Sequence, residues 1–209
     1  MDITASAMTD WASVPRHNLP AEVAGFIGRE REVEEVERIL PRTRLLTLTG
    51  GGGGGKTRLA LRIAANVERG FPDGVRLVQL APLTDSALVP RAVASAVGVR
   101  GTAGRPLLAT LVTALASRRL LLLLDNCEHL IGACARLAET LLGACPHLRI
   151  LAASRESLRV PGEVTWRVPP LEIPRQSWGN ARPRWSLSRR SRPWRSSSSE
   201  RVHGGRTSV

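Results

Sequence analysis

Gly50-Gly51-Gly52-Gly53-Gly54-Gly55-Lys56-Thr57 is the stretch on which the reading of this chain turns. It follows the apolar and β-branched run Arg44-Leu45-Leu46-Thr47-Leu48-Thr49. It leads into Arg58-Leu59-Ala60-Leu61-Arg62-Ile63-Ala64-Ala65, whose apolar residues have helical spacing. Strand, glycine loop, Lys-Thr and helix, in that order, is the context in which G-x-x-x-x-G-K-[ST] denotes a phosphate-binding loop. Glycines let backbone N–H groups turn inward around phosphate oxygens with no Cβ in the way. The start of the helix adds unpaired N–H groups and the positive end of its dipole. Lys56 is expected to reach the β- and γ-phosphates, and the Thr57 hydroxyl to hold Mg²⁺. Six glycines in a row also suit a low-complexity linker. A linker, however, has no reason to carry a strand before it and an amphipathic helix after it. Lys56 is the single lysine of the chain, and it stands where a compact ammonium is wanted.

Working outward, the spacing predicts a helix over 31–40, with Val33, Val36, Ile39 and Leu40 on one face. The loop strand is 45–49 and its helix runs to about Arg69. A second strand is expected at 75–80. Thr84-Asp85-Ser86 is positioned to cap a helix carrying Leu88, Val89, Ala92, Val93 and Ala96, and another helix spans 107–117. The five leucines 120–124 suit a helix by propensity. A run this short, bounded by charges and ending in Asp125, reads instead as a strand buried on both faces. A helix over 127–143, a fourth strand at 148–153 and a fifth at 164–168 complete a β-α repeat. The fold class expected is therefore α/β: a mostly parallel five-stranded sheet with helices on both faces. Ligands bind at the carboxyl ends of such strands, where the glycine loop, Asp125 and Arg155 all fall.

Composition narrows the class. The length suits one α/β domain with surplus chain. No segment approaches the ~20 apolar residues of a membrane helix, and no signal peptide is read at the N-terminus. Cys127, Cys134 and Cys145 form an odd set without metal-site spacing, which fits a reducing cytoplasm. The net charge is +12, yet residues 175–209 hold nine arginines against one acid. The basic balance thus belongs mostly to the tail. Residues 1–20 read as a flexible lead-in, 21–174 as the nucleotide-binding domain, and 175–209 as a disordered Arg/Ser-rich tail.

Several residues carry candidate chemistry, each with a plainer alternative. Asp125 matches the aspartate that orders Mg²⁺ beside Thr57, or it caps the following helix. Asn126 cannot take a proton, so Glu128 is the nearest acid to orient a water. It is equally readable as a solvated charge in a first helical turn. Nucleotide binding is therefore a better expectation than fast turnover. Arg155 is placed to sense a γ-phosphate, or is an ordinary surface arginine. Cys127-Glu128-His129 reads as a core thiol and an interfacial histidine rather than a metal pair. The tail's arginines with Trp178, Trp185 and Trp194 resemble a single-stranded nucleic-acid recipe. The plainer reading, a solvated unfolded tail, makes direct nucleic-acid binding the less favoured expectation.

An ordered set of motifs gives a family resemblance. It comprises Asn18-Leu19-Pro20, Phe26-Ile27-Gly28-Arg29-Glu30, Thr47-Leu48-Thr49-Gly50, Gly55-Lys56-Thr57-Arg58-Leu59-Ala60 and Phe71-Pro72-Asp73-Gly74-Val75. Leu124-Asp125-Asn126-Cys127-Glu128-His129-Leu130, Ala153-Ser154-Arg155-Glu156, Val160-Pro161-Gly162-Glu163 and Pro169-Pro170-Leu171 complete it. Over residues 18 to about 174 the chain resembles the ATPase module of actinobacterial LuxR-type and antibiotic-regulatory-type regulators in the signal-transduction ATPase (STAND, NB-ARC-like) family. The resemblance implies the three-layer sandwich of P-loop NTPases and ATP/ADP with Mg²⁺ as ligands. It implies nucleotide contact by Gly50, Gly51, Gly52, Gly53, Gly54, Gly55, Lys56, Thr57 and Arg58. By resemblance, Phe26, Ile27, Gly28 and Arg29 contact the adenine and ribose, Arg155 is the sensor-one arginine, and Asp125, Glu128 and Arg155 form the catalytic set. Such modules switch between an ADP-bound closed form and an ATP-bound form that self-associates or releases an effector.

The chain departs from that pattern in three ways. Gly51 and Gly54 stand where the family has a proline and a branched residue. Each extra glycine adds unfolded-state entropy of roughly 0.4–1 kcal/mol, so a less preorganised loop is expected. The helical, winged-helix and DNA-binding domains that follow in the family are not read here. The composition break after Pro174 suggests a shifted reading frame or a truncated gene. The other readings are a nucleic-acid binder acting through the tail, an inactive remnant of the regulator and, more distantly, a small-molecule kinase.

Overall fold

A computed structural model of the chain describes residues 15–21 and 28–170. Five strands form one sheet: β1 (Leu45–Thr49), β2 (Val75–Gln79), β3 (Leu121–Asp125), β4 (Arg149–Ala153) and β5 (Glu163–Arg167). Their order is β2-β3-β4-β1-β5, and every pairing is parallel. Parallel strands need crossovers, and these are α2 (Lys56–Val67), α3 (Val89–Ala96), α4 (Leu107–Leu115) and α5 (Ile131–Ala144), with α1 (Glu30–Ile39) preceding β1.

The period of two along each strand sends side chains to two cores. Leu46, Leu48, Leu77, Leu121, Leu123 and Leu151 meet α1 and α2 on one face. Val78, Leu122, Leu124, Ile150 and Ala152 meet α3, α4 and α5 on the other. The five-leucine run is therefore strand because both its faces are covered, and β3 is buried along its whole length. Among the described residues, no helix is long and apolar enough to cross a membrane.

Two local expectations need correction. The helix expected from Cys127 is interrupted: Asn126 adopts a left-handed conformation (φ 65°), Cys127–His129 makes one 3-10 turn, and α5 begins only at Ile131. Asn tolerates that conformation better than most residues. It swings the chain away from β3 and leaves Asp125 at the strand end. Leu88, expected within the helix, lies 38% exposed in the 3-10 turn Ser86–Leu88 that precedes α3. The Asp85 side chain does cap there, accepting from the Ala87 N–H.

The outer edge of β2 is lined by Arg16, His17 and Asn18, which fall inside the stretch expected as a lead-in. The Arg16 carbonyl accepts from the Val75 N–H at 2.9 Å. The Asn18 amide then imitates a strand residue. It accepts from the Leu77 N–H at 2.7 Å and donates to the Leu77 carbonyl at 2.9 Å. This blunts an exposed sheet edge. Gly74 allows the close pass, since it sits at φ +93° and a Cβ there would strike the Arg16 carbonyl. The expected tail, the Trp178, Trp185 and Trp194 set, and the 174/175 boundary lie outside the described residues.

Asn18→Ala should destabilise the fold by about 1–3 kcal/mol, because two edge groups of Leu77 lose their partner. Asn18→Asp should do no better, since its carboxylate would face the Leu77 carbonyl. Urea unfolding of the three chains checks both.

Candidate functional site

The loop between β1 and α2 turns back on itself at the carboxyl edge of the sheet. Gly50 (φ +149°), Gly53 (φ +73°) and Gly55 (φ +77°) occupy backbone conformations that side chains resist. The Gly54 N–H donates to the Gly51 carbonyl at 3.3 Å. Lys56 is 9% exposed, and its Nζ donates to the Gly50 and Gly51 carbonyls at 2.9 and 3.0 Å. An ammonium has three protons to donate. Carbonyls offer it lone pairs but no counter-charge, and no carboxylate pairs with it among the described residues.

The Thr57 hydroxyl, in the first turn of α2, donates to Asp125 Oδ1 at 2.7 Å. β1 and β3 are not neighbours, so this bond reaches across β4. Leu48 and Asp125 both register with Ala153 on β4. The small side chain at Ala153 keeps the crossing open. Asp125 is 9% exposed, and burial pushes its carboxyl above the usual carboxylate range. The Thr57 hydrogen bond pulls it back, and the Glu128 charge raises it further.

On the opposite rim, Arg155 Nε donates to Glu128 Oε1 at 3.1 Å. The second carboxylate oxygen, Oε2, is buried without a hydrogen-bond partner. The Arg155 guanidinium lies over the loop, about 3.5 Å from where a Cβ on Gly52 would sit. Loop, Asp125, Glu128 and Arg155 surround one cavity of about 340 Å³, with Arg58 on its wall.

The fold therefore brings together Gly52 to Arg58, Asp125, Glu128 and Arg155. Glu128 is neither a solvated charge nor free, because Arg155 engages it. Arg29 does not line this cavity. It is 4% exposed and donates from Nη2 to the Pro169 carbonyl at 2.9 Å. Gly28 is turned at φ +86°, while Phe26 and Ile27 lie outside the described residues.

His129 is more than an interfacial ring. Its Nε2 faces the Leu80 and Leu83 carbonyls at 3.1 and 2.9 Å, and its Nδ1 faces Asn126 Nδ2 at 3.3 Å. Donation from Nε2 and acceptance at Nδ1 fit one neutral tautomer. The ring thereby ties the turn after Asp125 to the turn after β2. The sequence signal for this was Asn126, a residue suited to φ > 0 directly after a strand. Cys127 is a core thiol: it is fully buried and donates to the Leu124 carbonyl.

The donor set fits nucleotide phosphates and a divalent ion. Lys56 keeps one proton beyond the two that its loop carbonyls take. Thr57 and Asp125 present two oxygens 2.7 Å apart, close to the ~2.9 Å between adjacent ligands of an octahedral Mg²⁺ with 2.0–2.1 Å bonds.

Comparison with known proteins bears on the family and the fold. A family model described as an AAA domain matches residues 41–160. A Mycobacterium tuberculosis protein named "Putative HTH-type transcriptional regulator" is 50% identical over 135 residues, which is 65% of this chain and 15% of that protein. An uncharacterized M. tuberculosis protein is 42% identical over 158 residues, 76% of this chain and 40% of its own length. The chain thus spans well under half of the relatives it matches. Among solved structures, Cdc6p from Pyrobaculum aerophilum aligns with 72% of this chain and 48% of its own, at TM-score 0.53 and 17% identity.

Gly51→Ala should be tolerated, because a Cβ there meets nothing within 4 Å and the backbone is not left-handed. The gain expected is about 0.4–1 kcal/mol through the unfolded chain. Gly53→Ala and Gly55→Ala should each lose about 1–2 kcal/mol from their left-handed backbone. Denaturant titration of the three variants checks the contrast.

As pH falls, the folded chain protonates Asp125 before the unfolded chain does. Ionising Asp125 therefore costs stability as pH rises through its raised pKa. Glu128→Gln should lower that pKa and Thr57→Val should raise it, read from the Asp125 carboxyl ¹³C shift against pH. Asp125→Asn should flatten the corresponding stability–pH profile.

Proposed function

The chain belongs to the AAA-domain family, and from that premise we propose that it is an ATP/ADP-binding switch module of the signal-transduction ATPase type, serving transcriptional regulation in the cytoplasm. The observation that carries the reading is the Thr57–Asp125 bond beside a Lys56 ammonium held by two loop carbonyls. The identity shared with the named regulator supports the regulatory setting.

In this reading the N–H groups of Gly51 to Gly53 and Gly55 to Thr57, with the third proton of Lys56, bind the phosphates. Thr57 Oγ1 and Asp125 hold Mg²⁺, directly or through its waters. Arg58 borders the phosphates. Phe26, Ile27 and Gly28 contact the adenine and ribose, and Arg29 does so through its main chain, since its side chain is committed to Pro169. Bound nucleotide supplies the charge difference between triphosphate and diphosphate that a switch reads.

Arg155 reads that charge. Its present partner is Glu128, so it has two acceptors to choose between: the carboxylate and a terminal phosphate. Glu128 is the acid available to orient a water and take its proton. Arg155 Nε holds its Oε1 and leaves Oε2 as the acceptor for such a water. The engagement of Glu128 by Arg155 supports a switch of slow turnover over a fast hydrolase. The ATP-bound form is the one expected to self-associate.

Thermal unfolding with ADP-Mg²⁺ and ATP-Mg²⁺ tests the reading. Ligand at 100 times its dissociation constant should stabilise the fold by about 2.7 kcal/mol. Lys56→Ala should remove most of that gain. An equal shift in Lys56→Ala, or none in the unaltered chain, would sink the proposal.

A further inference from the structure

Arg76 is a buried cation that the loop site does not explain. It is 2% exposed, and no carboxylate pairs with it among the described residues. Its hydrogen bond runs from Nη1 to the carbonyl of its own neighbour, Val75, at 3.2 Å. Its Nε is buried with no hydrogen-bond partner among the described residues. Burial disfavours its charged form, yet a guanidinium does not lose its proton inside a protein. A charge taken from water without a counter-charge is strongly unfavourable. Nothing among the described residues meets that demand.

The surroundings suggest what would. Arg76 lines a cavity of about 510 Å³ bounded by Pro15, Asn18, β2 and the α3 residues Ala92 and Ser95. Among the described residues, Arg76 is the one Lys or Arg on its wall. β2 lies at the edge of the sheet, with β3 and β4 between it and β1, so this cavity is separate from the glycine loop.

We propose that the cavity is a carboxylate-binding site, with the carboxylate seated against the guanidinium of Arg76. A guanidinium presents pairs of parallel N–H groups, the fork that a planar carboxylate accepts in bidentate fashion. A single cation matches a single negative charge. A phosphate dianion would call for a second fixed cation; among the described residues the wall adds only His17 as an ionisable side chain. Asn18 and Ser95 are polar neighbours for the rest of the ligand, and Leu77 and Ala92 are apolar ones. The same chemistry is offered by a small organic acid and by an Asp or Glu side chain on a protein segment.

The test uses the full chain carrying Lys56→Ala, which silences the phosphate loop. Succinate, the peptide acetyl-Gly-Asp-Gly-amide and uncharged succinamide are added in turn at matched ionic strength. Succinate at saturation should raise Tm by roughly 5–10 °C, succinamide should not, and Arg76→Met should abolish the rise. A rise with the peptide alone, also lost in Arg76→Met, would support the site and assign its carboxylate to a protein segment. On the chain with Arg76 intact, the Arg76 Nε–H resonance should move downfield with the effective probe, a readout that needs no folded variant. No shift in Tm or in that resonance with either acid would overturn the proposal. So would an equal Tm rise in Arg76→Met.

Discussion

The hydrogen bond from Thr57 to Asp125 is the constraint that organises this molecule. It joins the start of α2, which follows β1, to the end of β3, and β1 and β3 are not paired in the sheet. To close at 2.7 Å it needs β1 and β3 each paired to β4 in one register, with Ala153 between them. A slip of one residue would move Asp125 to the other face of the pleat. The all-parallel order, the buried leucines of β3 and the glycine turns of the loop can each be read as what this contact requires. The two cores do the stabilising, and the bond records that they have done so in the correct register.

The far rim is set by a different balance. Glu128 is pulled toward Arg155, with one oxygen bonded and the other buried without a partner. An orphaned carboxylate oxygen is costly in a low-dielectric site. The pair is therefore poised rather than settled, since any donor reaching Oε2 or any stronger acceptor for Arg155 would redistribute it. In the switch proposed above, a ligand would choose between two arrangements of this ion pair.

Much of this was legible in the sequence, because local rules and global fold agreed. A glycine loop between a strand and a helix has few other uses, and the five-leucine run ended in an aspartate as a buried strand should. The strand bounds came within one or two residues for the same reason. What escaped was set by contacts distant in sequence. Nothing local says that Asn18 pairs with Leu77, 59 residues away, or that Arg29 reaches Pro169. The break after Asp125 was hidden by good helical spacing through Cys127 and Leu130. The left-handed Asn126 and the His129 ring override that spacing, and their partners lie on another turn.

Three buried cations give the described domain its electrostatic character. Lys56 is met by two loop carbonyls, Arg29 by the Pro169 carbonyl, and Arg76 by the Val75 carbonyl. Carbonyl oxygens satisfy donors, but they do not cancel charge; Lys56 alone of the three is set against a carboxylate here, through the nearby Asp125 charge. The unliganded fold therefore carries positive charge that the unfolded chain would leave in water, and part of the hydrophobic gain from both cores goes to holding it. An anion that binds only the folded chain recovers some of that loss, and its affinity is then linked to stability. A domain built this way is least stable when empty. Occupancy of a buried cation then acts on the fold itself as well as on the atoms the ligand touches.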